Sequence, residues 1–199
     1  MLDYGIRPPG YRLPDATRIG TVRLQVSDLA QSLTYYQRVL GMRVLEQGTG
    51  RAVLGAHGAD ASILELREKR GARMVPRRGL LGLYHFAILL PDRASLGRFL
   101  QHLAELGAKA GMSDHLVSEA VYLQDPDNLG IEVYADRPRE LWKHADRQLI
   151  MATEPLDARA VVAAAGTTQW TGIPAGTRIA GRDNVSGGDT LQILLYGVL

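Results

Sequence analysis

One unit of sequence occurs twice in this chain, and the repeat narrows the fold more than any other feature. In the first copy, polar and apolar residues alternate from Thr21 to Val26, and Ser27-Asp28 breaks the pattern. Apolar residues then recur at Leu29, Leu33, Tyr36 and Leu40. Alternation marks a strand with one buried face, and the wider spacing marks an amphipathic helix. The pattern predicts a strand over 19–26 and a helix over 29–40. Gly41 stops the helix, because glycine accepts the left-handed backbone required there. Short strands are expected over 43–46, 51–54 and 62–66, separated by turns bearing Gly48, Gly50, Gly55 and Gly58.

The second copy opens with a strand over 83–90. Asp92 caps a helix running to about Leu106, with Leu96, Phe99, Leu100 and Leu103 at core spacing and Gly107 behind it. Strands over 115–118, 120–123 and 130–134 complete the unit, and Asp125-Pro126-Asp127 supplies turn chemistry before the last of them. Two tandem βαβββ units (17–70 and 82–136) make an α+β domain over 17–138. Residues 1–16, with Pro8, Pro9, Gly10 and Pro14, are expected to form an extended arm. Residues 139–176 are expected to be a connector, with an Ala- and Val-rich helix over 154–165 lying against the domain. Thr177-Arg178-Ile179 repeats Thr17-Arg18-Ile19, so 177–199 are expected to begin a second domain that is truncated or, from about residue 180, frameshifted.

Composition removes several function classes. The 199 residues include no cysteine, which excludes disulfides, thiolate metal sites and a cysteine nucleophile. A formal charge of +2 gives no footprint for nucleic acid. The basic stretch from Arg67 to Arg78 contains Glu68 and lies among turn residues, so it is expected to be a solvated loop. No apolar run is long enough to span a membrane, and a cytoplasmic protein is expected.

Three ionisable residues lie inside expected strands, each between apolar neighbours: Glu65, His85 and Glu132. A charge on a half-buried strand is costly unless it is paired or bound to a metal. Each could also face solvent on the polar side of its strand, and spacing alone does not decide between the two. His115 is a candidate for substrate contact or proton transfer, or for a structural hydrogen bond to a neighbouring strand. His57, His102 and His144 fall in turn or surface contexts.

The stretches VSDLAQSLTYYQRVLGM, LYHFAILLPDRASLGRFLQHL and SDHLVSEAVYLQDPDNLGIEVYADRP resemble the vicinal oxygen chelate superfamily of glyoxalases, bleomycin-resistance proteins and extradiol dioxygenases. The resemblance covers 17 to about 179 and is closest to two-domain catechol 2,3-dioxygenases. It implies a curved mixed sheet around a cleft. It also implies a metal, Fe(II) or Mn(II) in the dioxygenases and Ni or Zn in the glyoxalases, with His85, Glu132 and Glu65 at ligand positions. The expected substrates are a catechol-like small aromatic or a thiol adduct. Where the family's remaining histidine stands, this chain has Thr21, a poor ligand, and Arg23 on the same face would oppose a cation.

Three readings follow from the resemblance. The chain is a structural N-terminal domain of a dioxygenase, with an incomplete metal site. Alternatively it is a glyoxalase-type lyase using Glu65, His85 and Glu132, completed by a second subunit. A third reading is a metal-free binder of small aromatics. A surface left open by an absent second domain would favour a homodimer.

Overall fold

The computed structural model describes residues 18–74, 76, 83–146 and 148–179. The expected arm over 1–16 and the tail from 180 onward lie outside the described residues. Both copies of the repeat fold as βαβββ units. The first runs β1 (Val22–Val26), α1 (Leu29–Arg38), β2 (Arg43–Gly48), β3 (Arg51–Gly55) and β4 (Ser62–Glu68). The second runs β5 (His85–Leu89), α2 (Arg93–Glu105), β6 (Gly111–Asp114), β7 (Ser118–Gln124) and β8 (Gly130–Asp136). After them come a short hairpin, β9 (His144–Ala145) with β10 (Gln148–Leu149), then α3 (Ala158–Ala164) and β11 (Arg178–Ile179).

Each helix begins on an aspartate. The Asp28 carboxylate accepts from Gln31 N at 2.9 Å and Asp92 accepts from Ser95 N at 2.6 Å, satisfying backbone donors that a first turn leaves open. Gly41 and Gly107 follow the helices at φ +68° and +63°. The first sheet has the order β1-β4-β3-β2 and the second β11-β5-β8-β7-β6. In each sheet the first strand of the unit runs parallel to the last, and the other pairs within the unit are antiparallel.

The alternation read from the sequence decides which face each residue meets. Leu24, Val26, Leu64 and Leu66 pack with Leu29, Leu33 and Tyr36 of α1, and Phe86, Ile88, Ile131 and Val133 with Leu96, Phe99 and Leu103 of α2, in one core cluster. Arg23 of β1 and Glu65 and Arg67 of β4, and His85, Ala87 and Glu132 in the second sheet, therefore fall on the faces away from the helices.

The two units are tied directly. The Tyr36 hydroxyl donates to Asp125 Oδ2 at 2.9 Å, and Ser27 N donates to Asp127 Oδ2 at 2.9 Å. Within that turn Asn128 takes φ +66°, so asparagine does there what glycine would. Residues 152–179 add a second tie. Val161 of α3 sits so close to α2 that a Cβ on Gly97 would lie 2.3 Å from its carbonyl oxygen. Ile173 bonds both ways to the first unit, N to Gly41 O and O from His57 N. β11 then pairs antiparallel with β5, Ile179 opposite Ile88.

Two expected elements shift. The strand expected over 115–118 forms instead over Gly111–Asp114, and His115 follows it in a turn where Leu116 takes φ +68°. The expected 154–165 helix is shortened to Ala158–Ala164, because Glu154 is bridged to Asp114 and Asp157 caps the first turn. Among the described residues no helix is long and apolar enough to cross a membrane.

Candidate functional site

The second unit brings three of the four expected site residues together. The register opposes Ala87 to Glu132 across β5 and β8, and Tyr122 to Glu132 across β7 and β8. His85 Nε2 lies 3.1 Å from Glu132 Oε2, and the Tyr122 hydroxyl donates to Glu132 Oε1 at 3.0 Å. His115 joins from the turn after β6: its Nε2 is 2.7 Å from the Tyr122 oxygen and its Nδ1 2.8 Å from the Ala152 carbonyl. Glu132 is 5% exposed and His115 7%. The face around them is apolar and aromatic, with Leu89, Ala120 and Tyr134 buried beside Ala87 and Tyr122.

Donor counting restricts this chain. A carbonyl only accepts, so His115 Nδ1 carries a hydrogen for Ala152. The Tyr122 hydroxyl has one hydrogen, which Glu132 receives. His115 Nε2 and the Tyr122 oxygen make the third contact, at 2.7 Å. His85 Nδ1 is buried and has no hydrogen-bond partner.

Glu65 does not join this group. It lies on β4 in the other sheet, opposite Arg23 of β1 and Val53 of β3. Its carboxylate is 5% exposed and accepts from three guanidiniums: Arg67 Nε at 2.7 Å, Arg51 Nε at 3.0 Å and Arg23 Nε at 3.2 Å. Hydrogen bonds from Arg51 and then Arg67 hold its carboxyl down to about 2, from an ordinary 4.5. Thr21, on the same face, bonds Ser62, hydroxyl to hydroxyl at 2.6 Å. Between these side chains opens a cavity of about 440 Å³ lined by Thr21, Arg23, Arg51, Glu65 and, on its apolar side, Leu45 and Val53.

The two faces are counterparts. Thr21 and His85 each stand seven residues before the capping aspartate of their unit, Asp28 and Asp92. Arg23 opposes Glu65 as Ala87 opposes Glu132. One unit thus presents a histidine–carboxylate pair in an apolar setting, and the other a carboxylate enclosed by arginines.

Among the described residues, no three His, Cys, Asp or Glu side chains gather closely enough to hold a metal ion. A metal of the kind expected would find two suitable donors, His85 and Glu132, while the third carboxylate is bound to guanidiniums. That donor set does not fit a centre of two histidines and a carboxylate, nor one of four ligands.

Tyr122 and Arg51 were not singled out from the sequence, and Arg67, expected at the start of a solvated loop, lies on β4 and reaches Glu65. Tyr122 was within reach of the sequence, since counting back from the turn at Asp125 places it opposite Glu132. Of the other histidines His57 is exposed, whereas His102 and His144 are half-buried, and His102 Nε2 meets Arg38 O at 2.9 Å.

Comparisons with known proteins agree with this architecture. The profile of the Glyoxalase/Bleomycin resistance protein/Dioxygenase superfamily matches residues 18–133. The chain is 44% identical over 165 residues to the catechol-2,3-dioxygenase of Bacillus subtilis (strain 168), a match covering 82% of this chain and 57% of that protein. It therefore spans little more than half the length of that relative. The fold is similar to that of the cppA protein from Streptococcus pneumoniae TIGR4 (TM-score 0.55, 13% identity, 79% of this chain and 58% of that one). It is also similar to a glyoxalase/dioxygenase from Nostoc punctiforme (TM-score 0.50, 20% identity, 67% of this chain and 98% of that one). With two βαβββ units in the described structure and a profile match over more than half its length, the chain belongs to the glyoxalase/bleomycin resistance protein/dioxygenase superfamily.

Proposed function

We infer that this chain is a structural pair of modules from a catechol 2,3-dioxygenase-like protein, with an incomplete metal site and little ring-cleaving activity of its own. The superfamily and the Bacillus relative make a divalent metal and a catechol-type substrate plausible for the protein as a whole. The observation that carries the reading is the engagement of Glu65. A carboxylate that accepts three charged hydrogen bonds is not free to serve as a ligand, and Arg23 adds a positive charge where a cation would have to approach. The test is oxygen uptake with catechol by the purified chain supplied with Fe(II). Uptake no faster than with Fe(II) alone is expected; turnover that disappears in His85→Ala would overturn the reading.

A second reading keeps His85 and Glu132 as ligands of Ni or Zn in a glyoxalase-type lyase, with the set completed by a second subunit, since Glu65 is held by its three arginines on the other sheet. The buried, unpartnered Nδ1 of His85 favours it. Sedimentation with and without Zn(II) tests it: a metal-dependent dimer lost in His85→Ala supports this reading, and an unchanged species counts against it.

A further inference from the structure

The end of the connector is laid across both units. After α3 the chain turns at Gly166 (φ +62°), and residues 166–169 are exposed. Trp170 then enters where the end of α1 meets α2, which are joined there by His102 Nε2 and Arg38 O at 2.9 Å. Its ring lies 5.2 Å from Phe99 and 6.3 Å from His102, centroid to centroid, and a Cβ on Gly41 would stand 2.8 Å from its indole nitrogen. Gly172, at φ +115°, crosses the chain at Gly41. A Cβ there would meet Gly41 O at 2.5 Å and the His57 ring at 2.6 Å, so only glycine makes the crossing. Ile173 follows, fully buried, and β11 sets Ile179 opposite Ile88 of β5.

This stretch is held at few points. Among the described residues, 167–176 bond backbone to backbone with the two units only at Ile173, through N to Gly41 O at 2.9 Å and O from His57 N at 2.7 Å. β11 adds a ladder of two residues. Trp170 Nε1 and Thr177 Oγ1 are buried without a hydrogen-bond partner. A buried unpaired polar atom carries its desolvation cost, and contact with water removes it. Few bonds, exposed backbone and unpaired polar atoms mark a segment that opens at lower free energy than the core. Gly166 supplies a hinge, since nothing lies within 4 Å of the place its Cβ would take. Under the stretch lies β5, the strand that carries His85, which without β11 would be the edge of its sheet.

We propose that residues 167–179 are a strap that lifts as one unit about Gly166 while both βαβββ units stay folded, baring the edge of β5 and the seam between α1 and α2. The ties that hold the units together lie elsewhere: Tyr36 to Asp125, Ser27 to Asp127, and α3 against Gly97 of α2. The strap therefore gates a strand edge without parting the units, and it does so whether the chain is a structural module or a lyase.

Native-state hydrogen exchange of the full chain, read by amide NMR in low urea, is the test. The amides of Ile173 and His57 are expected to exchange about a hundredfold faster than those of Val133 and Leu64, and to respond little to urea, because lifting the strap exposes little surface. Ile131→Val makes a small defect in the core outside the strap. It is expected to speed Val133 and Leu64 by up to about tenfold and to leave Ile173 and His57 unchanged. Gly172→Ala, which the crossing cannot accommodate, is expected to strip protection from Ile173 and His57 while Val133 and Leu64 remain protected. Exchange of strap and core at one common rate, equal acceleration of both by Ile131→Val, or loss of core protection in Gly172→Ala would each overturn the proposal.

Discussion

The Arg23 guanidinium lies 3.2 Å from the Glu65 carboxylate, on residues that face each other across the parallel strands β1 and β4. The matching residue of the second unit is Ala87, across from Glu132, and Glu132 meets His85 instead. One duplicated architecture thus carries two chemistries. A small residue leaves the carboxylate to a histidine and a tyrosine, while a long cation claims it outright.

Acid should expose the arginine cluster. The Glu65 carboxyl is held below its ordinary value, so its contribution to stability is complete above about 4.5 and is lost as the pH falls through about 2. In Glu65→Gln that contribution is gone at neutral pH. The difference in urea midpoint between wild type and variant should therefore shrink steadily across this window. A gap that stays constant down to pH 2 would show that the arginines do not stabilise the ionised form.

Tyr122→Phe removes the hydroxyl that bridges His115 and Glu132. Both partners are buried, so the expected loss is about 1–3 kcal/mol of unfolding free energy, the cost of leaving buried polar groups short of a partner. Urea denaturation followed by circular dichroism measures it. An unchanged midpoint would mean that the chain of hydrogen bonds contributes nothing to the fold.

Gly97→Ala sets two effects against each other. Alanine in a helix gains about 1 kcal/mol over glycine. Here its Cβ would meet the Val161 carbonyl oxygen at 2.3 Å, and a backbone atom of α3 yields less readily than the end of a side chain. Overpacking of this kind costs about 1–3 kcal/mol, so a net loss is expected together with faster proteolysis near α3. A more stable variant would show that α3 is not docked on α2.

Much of the fold was legible because its signals are local. Asp92 announced a helix, Gly41 and Gly107 ended two, and alternation marked the strands that bury one face. The strand over Gly111–Asp114 was missed because it lies at the end of its sheet, where it pairs with β7 and through a single bridge with Glu154, and because it lacks apolar alternation. For the site, residue type and strand position drew attention to Glu65, His85 and Glu132, but not to their partners. Arg51 reaches Glu65 from a neighbouring strand, and the Ala152 carbonyl reaches His115 from 37 residues away, so both contacts depend on how distant segments pack.

The central claim is that Glu65 belongs to its arginines and leaves the first unit without a metal ligand. The most direct measurement is metal content after anaerobic loading of the purified chain with Fe(II) and removal of the excess. Bound iron far below one equivalent, and no lower in Glu65→Gln, is the predicted result. One equivalent of iron, lost in both Glu65→Gln and His85→Ala, would contradict the account.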